Sequence, residues 1–328
     1  CSNAQSRFDS FLSARQTYCR RIYQKGDRKV VQTDRIKVVA IVGCTAVGKS
    51  DTAIRLARKF DGELVGADSM QIYRGFDIGT GKLTESECAG IVHHMIDIVD
   101  GDADFSVGEY VRHAKQAISD IHSRGKLPII VGGTGLYVNS LLGGCDFGCS
   151  PKDENIRLSL KALSHFFGRG AIHAILECVD CESANKIAPR DVKRAIRALE
   201  IFAVGGRPKS RAVSRSNPYD YLAIVLDLPR DLLYARINAR VKKMFDDGLI
   251  DETKQLMPYK NCCSMQALGY KQIAQDPTAP RDVIEPLVAQ KTRNYAKRQV
   301  TYFKNMQLEK TTVDARDFES VSALVEKF

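Results

Sequence analysis

The residues best suited to chemistry begin at position 43. Gly43, Cys44, Thr45, Ala46, Val47, Gly48, Lys49 and Ser50 fit the phosphate-loop pattern GxxxxGK[ST]. Glycines let successive backbone N–H groups curl around a phosphate, a lysine adds charge, and a serine hydroxyl at a helix start can hold Mg²⁺. The task so defined is to hold a diphosphate. Whether that group is transferred, cleaved or expelled is not written in the loop. The next candidate is Asp68, which follows the short apolar run Leu64-Val65-Gly66-Ala67. We expect that run to be a strand beside the loop's own strand, with Asp68 at its carboxyl end, where doubly wound sheets place ligands. A carboxylate there can serve as a base, cap a helix, or support Mg²⁺ from outside its ligand shell.

Two other groupings invite a metal. His93-His94 precede the apolar run Met95-Ile96-Asp97-Ile98-Val99, and adjacent side chains in a strand diverge, so structural histidines are the better reading. Cys178-Val179-Asp180-Cys181 is a CxxC without a second pair, short of the four ligands that a structural zinc site uses. Ten cysteines at scattered positions read as free thiols in a reducing, cytoplasmic compartment.

The elements that must position these groups alternate. Ile36 to Val42 is a continuous, largely β-branched run, the mark of a buried parallel strand, and it feeds the loop. A helix follows with Ala53, Leu56, Ala57 and Phe60 on one face. Ser106-Val107-Gly108-Glu109 is a capping box opening another helix, which stops at Gly125. Leu127 to Val131 is a further strand, ending in Gly132-Gly133-Thr134. Such alternation means a parallel α/β sheet with right-handed crossovers. From Pro151 to about Gly206 only helical periodicity is found, and then 220–228 reads as another buried strand. The division expected is a core of 36–145 and 218–328, interrupted by a helical insertion at 146–217. Residues 1–35 are set apart as a basic arm, with Ser2-Asn3-Ala4 resembling the remnant of a cleaved tag. Beyond the returning strand the pattern looks helical to about Met306.

The 328 residues are 44% apolar, enough for a sizeable core, and carry a net charge of +10, which favours a polyanionic partner, RNA or DNA first. No apolar run reaches the roughly 18 residues needed to cross a bilayer.

The chain resembles the tRNA dimethylallyltransferase (adenosine isopentenyltransferase) family over about residues 37–310. The resemblance rests on GCTAVGKS, DSMQIYRGFDIGTGK (68–82), HHMIDIVD (93–100), PIIVGGTGLYVNSLL (128–142), RDVKRAIRALEIF (190–202), MQALGYK (265–271) and TRNYAKRQVTYF (292–303). It departs from the family pattern at Cys44, where proline is usual, at Ser50 for threonine, Gly81 for alanine and Tyr302 for tryptophan. It is similar to the short bacterial form, without a zinc finger. The fold implied is a P-loop NTPase-like sheet flanked by helices, with an all-helical insertion domain.

The resemblance implies that the loop, with Lys49, Arg236 and Mg²⁺ through Ser50, holds the diphosphate of dimethylallyl diphosphate without ATP. Asp68 matches the general base that takes the proton of an adenine amine in the anticodon loop of tRNA. Thr134 joins Asp68 and Lys49 in the catalytic group as a contact near the target base, or else caps the helix at Leu136. Ser69, Met70 and Gln71 line the base pocket. Lys193, Arg194 and Arg197 touch tRNA, as do Gln266, Gly269, Tyr270 and Lys271, although Tyr270 could be ordinary core. Arg293, Lys297 and Arg298 would meet the tRNA backbone, and Arg240 is a second arginine able to reach the diphosphate. The expected protein is a cytoplasmic monomer. A P-loop kinase of small metabolites is the rival, opposed by the Gly-Gly-Thr turn where a kinase would carry an acidic Mg²⁺ residue. An RNA-binding module without activity is a second rival, opposed by the intact Lys49, Ser50 and Asp68.

Overall fold

The computed structural model describes residues 35–144, 152–211 and 219–328. The expectations for the basic arm, and for residues 145–151 and 212–218 at the edges of the insertion, lie outside the described residues.

β1 (Ile36–Gly43) is buried along most of its length. Its pleat sends Val38, Ala40 and Val42 into one apolar cluster and Val39 and Ile41 into the other, so the sheet is covered on both faces. Gly43 ends the strand at φ +149°, and a Cβ there would come within 2.7 Å of the Leu226 carbonyl oxygen, so the chain can turn only with glycine. α1 (Lys49–Lys59) leaves the loop after Gly48, also at positive φ. Then follow β2 (Gly62–Gly66), the single turn α2 (Glu85–Cys88) and the two-residue β3 (His93–His94). α3 (Val107–Ser123) opens on the expected capping box: Ser106 Oγ accepts from Glu109 N, and Glu109 Oε2 accepts from Ser106 N. β4 (Leu127–Gly132) and α4 (Gly135–Leu142) complete the first part of the core.

Four helices come next: α5 (Glu154–Phe167), α6 (Arg169–Val179), α7 (Cys181–Lys186) and α8 (Val192–Gly205). They bury an apolar cluster of their own, in which Ile172 and Leu176 of α6 meet Ala195, Ile196 and Leu199 of α8. Glu200 is fully buried beside it. Its carboxylate accepts from Asp153 N (2.8 Å), from Arg157 Nη2 (3.0 Å) and from Arg197 Nη1 (2.6 Å). Burial works to raise its pKa, and these donors outweigh burial and hold it below the usual value.

β5 (Tyr219–Asp227) returns to the sheet beside β1, followed by α9 (Arg230–Asp246), α10 (Leu249–Gln255), α11 (Tyr270–Gln275) and the 25-residue α12 (Arg281–Asn305). β6 (Thr311–Asp314) and α13 (Phe318–Lys327) close the chain. β6 lies beyond the helical stretch read from the sequence. At four residues, half of them exposed, it offers little pattern.

The sheet runs β3-β2-β4-β1-β5-β6, parallel throughout. This corrects one expectation. The strand before Asp68 is not next to the P-loop strand, because β4 lies between them. A Cβ on Gly132 of β4 would come 2.2 Å from the Ala67 oxygen, so glycine there lets the end of β2 close over it.

Candidate active site

The loop after β1 is braced from three directions. Val47 is fully buried and anchors it below. Lys49 Nζ donates to the Cys44 carbonyl at 2.7 Å, and Arg236 Nη1 donates to the Val47 carbonyl at 3.0 Å. Gln299, on α12, accepts from Thr45 N–H at 2.8 Å through Oε1 and donates from Nε2 to the Gly133 carbonyl at 2.9 Å. One amide thus ties the phosphate loop to the turn after β4. Thr45 was expected to offer its N–H to a phosphate, and here Gln299 already holds that group. Ala46 sits at φ +62°, a conformation that turns consecutive N–H groups toward one concavity.

Asp68 is oriented by its own turn, since Met70 N donates to its Oδ1 at 2.9 Å. The next N–H, on Ser69, donates to Thr134 Oγ1 at 3.0 Å. Thr134 does occupy the N-cap position of α4, but its side chain makes no capping bond. Its hydroxyl instead holds the segment that follows Asp68. Gln71 donates from Nε2 to the carbonyls of Thr80 and Gly81, each at 3.2 Å.

Three contiguous cavities meet between these groups. A cleft of about 620 Å³ is lined by Gly48, Lys49, Ser50, Arg236 and Arg240. A small space of about 90 Å³ joins Lys49 and Ser50 to Asp68 and Gln71. A third, of about 300 Å³, has Asp68, Ser69, Thr45 and Arg298 at polar points and Met70, Ile237, Val241, Met244, Leu268 and Val288 as apolar wall. Arg240 borders all three. Burial and the nearby Arg240 charge pull the Lys49 ammonium down to about 8, opposed by Cys44 and Asp68. Burial likewise lowers Arg240, and Asp68 supports its charge. Lys49 and Arg240, with the N–H groups of the loop, face Asp68 across a partly apolar gap. That can stabilise a leaving diphosphate on one side and accept a proton on the other.

Of the two arginines on α9, Arg236 reaches the loop from an exposed position, while Arg240 is enclosed beside Lys49 and Asp68. Arg240 is therefore the more central of the two in the cleft. Tyr295 also borders two of the cavities, its phenol raised to about 12 by burial first and then by the charge of Asp68. The signal for Tyr295 and Gln299 was present in the sequence: Thr292, Tyr295, Gln299 and Phe303 repeat at helical spacing along one face of α12.

The turn 265–271 divides. Gln266 is exposed and borders the 300 Å³ cavity. Tyr270 is fully buried, and its hydroxyl donates to Glu252 Oε1 while accepting from Gly79 N at 2.9 Å. It is a prop for the 77–82 turn, not a surface contact for tRNA. Gly269 is buried at φ +91°, and Lys271 is half-buried and borders none of the three cavities. On α8, Lys193 and Arg194 are exposed, whereas Arg197 is joined to the buried Glu200. None of these three borders the cavities around Asp68.

His94 pairs with Glu63 at 2.7 Å and His93 Nδ1 lies 2.8 Å from the Ile91 carbonyl. Among the described residues no group of three or more His, Cys, Asp or Glu side chains could hold a metal ion. No helix of the described residues is long and apolar enough to cross a membrane.

The site can be set beside known proteins. A curated tRNA dimethylallyltransferase from Exiguobacterium sp. is 46% identical over 272 residues, covering 82% of this chain and 87% of its own length. The crystal structure of a full-length tRNA isopentenylpyrophosphate transferase from Bacillus halodurans is similar at TM-score 0.66 and 39% identity, covering 89% of this chain and 96% of that one. The structure of a eukaryotic dimethylallyltransferase acting on tRNA is similar at TM-score 0.72 and 29% identity, over 89% of this chain and 77% of that one. The family model described as IPP transferase matches residues 71–306, from the turn that follows Asp68 to the end of α12. By its sheet, its phosphate loop, its relatives and this match, the chain belongs to the IPP transferase family.

Proposed function

We propose that this enzyme moves a dimethylallyl group from dimethylallyl diphosphate to the exocyclic N6 of the adenosine 3′ of the anticodon in tRNA. The observation that carries this reading is Arg240, which borders the phosphate-loop cleft and the cavity of Asp68 alike. Donor phosphates and acceptor base would meet across it. The cation-lined cleft takes the diphosphate, and the adenine, out of its stack, enters beside Asp68.

The C1–O bond to the diphosphate breaks as the N6–C1 bond forms, and the N6 proton passes to Asp68. Oδ1 already accepts from Met70, which leaves Oδ2 to take that proton. Lys49, Arg240 and the loop N–H groups stabilise charge growing on the leaving oxygens, usually the larger share of such catalysis. Ser50 borders the cleft with Asp51 close by, an oxygen setting suited to Mg²⁺. There Mg²⁺ would neutralise phosphate charge. Lys193 and Arg194, exposed on α8, would follow the tRNA backbone of a protein acting as a cytoplasmic monomer.

The deciding experiment supplies radiolabelled dimethylallyl diphosphate, Mg²⁺ and unmodified tRNA without ATP, with a control tRNA carrying guanine at the target position. Label in the adenine tRNA alone is the expected result. No label in either tRNA, with ATP consumed when small metabolites are added, would replace this reading with a kinase. The turn Gly132-Gly133-Thr134, without a carboxylate at the end of β4, weighs against that outcome.

A further inference from the structure

The segment Asp77–Lys82 forms the wall between the three cavities, and its backbone is pinned from several sides. Ile78 N donates to both carboxylate oxygens of Glu252 at 3.0 Å, and Gly79 N donates to the Tyr270 hydroxyl at 2.9 Å. Gln71 holds the carbonyls of Thr80 and Gly81. Lys82, whose side chain is 6% exposed, donates to the Tyr73 carbonyl at 2.6 Å and pairs with Asp77 and Asp97. Gly81 sits in this wall at φ +63°. A Cβ built on it would lie 1.7 Å from Arg240 Nη2 and 2.7 Å from Cζ. The guanidinium therefore occupies the volume that any other residue's side chain would fill. Since the wall is tied down by two helices and by Gln71, the flexible arginine is what must yield to a larger residue.

We propose that Gly81 is a positioning residue for donor binding. By lacking a side chain it seats the Arg240 guanidinium against the 77–82 wall, facing the diphosphate cleft. This rests on the proposed transfer from a diphosphate donor, and it adds that residue 81 sets the grip on that donor through Arg240. Alanine, the residue usual here in the family pattern, would push the guanidinium out of this seat.

The test is a double-mutant cycle on the full chain with Gly81→Ala, Arg240→Ala and the double variant. It measures KM and kcat for dimethylallyl diphosphate at saturating tRNA, and the Kd of inorganic diphosphate by calorimetry. Gly81→Ala should raise KM and the diphosphate Kd by about tenfold, the size of coupling usual for groups in contact. In the Arg240→Ala background the same change should add less than about twofold. Gly90→Ala serves as the control for alanine at positive φ, because Gly90 has φ +78° and no neighbour within 4 Å of a Cβ. It should leave both constants unchanged. A Gly81→Ala enzyme with wild-type constants, or an equal loss with Arg240 already removed, overturns the assignment. Because diphosphate binding is read apart from transfer, a wild-type chain that moves no label but shows the coupled Kd change sinks the proposed reaction and leaves the seat standing.

Discussion

In the cleft the Arg240 guanidinium lies close enough to lower the Lys49 ammonium, and Asp68 is the carboxylate that supports both charges. In the helical segment, Arg157 and Arg197 converge on one buried carboxylate, Glu200, whose remaining capacity is filled by the Asp153 N–H. In the first arrangement burial lowers both cations, and in the second the donors outweigh burial. The cleft cations share the support of Asp68, whereas the charges that hold the helical segment are matched within it. The same residue types thus do opposite work, and only their partners tell them apart.

The sharpest way to break the comparison is at Asp68. Asp68→Ala should lower turnover by about 10²–10⁴-fold, as removal of a general base does, while the affinities for donor and tRNA stay near wild type. A fully active variant in a steady-state assay would remove Asp68 from the reaction. Within the helical segment, Glu200→Ala leaves two arginines facing a buried gap and should cost about 3 kcal/mol or more in denaturant unfolding. Lys193→Ala, exposed on the same helix, should leave stability unchanged and lessen the salt dependence of tRNA binding by roughly one counterion. Equal stability losses for the two variants would mean that the ion cluster is not what holds the segment.

The smallest effect is in pH dependence. With Lys49 near 8 in the free enzyme, donor kcat/KM should decline above pH 8, by up to about tenfold per unit, because binding must then restore the proton. Lys49→Arg should remove that limb, since a guanidinium stays charged. The folding contribution has the opposite slope. The folded pKa lies below the unfolded value of 10.5, so the destabilisation is complete below pH 8 and fades as pH rises toward 10.5. A flat kcat/KM between pH 7.5 and 9 would show that Lys49 is not lowered in the working enzyme.

What the sequence determined alone is local. The loop 43–50, the capping box at Ser106 and Glu109 and the position of Asp68 beyond a short strand each depend on backbone geometry or on bonds spanning a few residues. The returning strand near 220 was equally legible, as one continuous apolar run. The tertiary structure decided which distant groups share a space. It inserted β4 between the strands of Lys49 and Asp68, buried Tyr270 beneath Gly79, and chose Arg240 over Arg236 for the centre of the cleft. It also brought Gln299 to Thr45 across 254 positions of sequence. A side chain's periodicity says which face of its helix it occupies, and the partner that face will meet is set by the packing of the whole sheet and its helices.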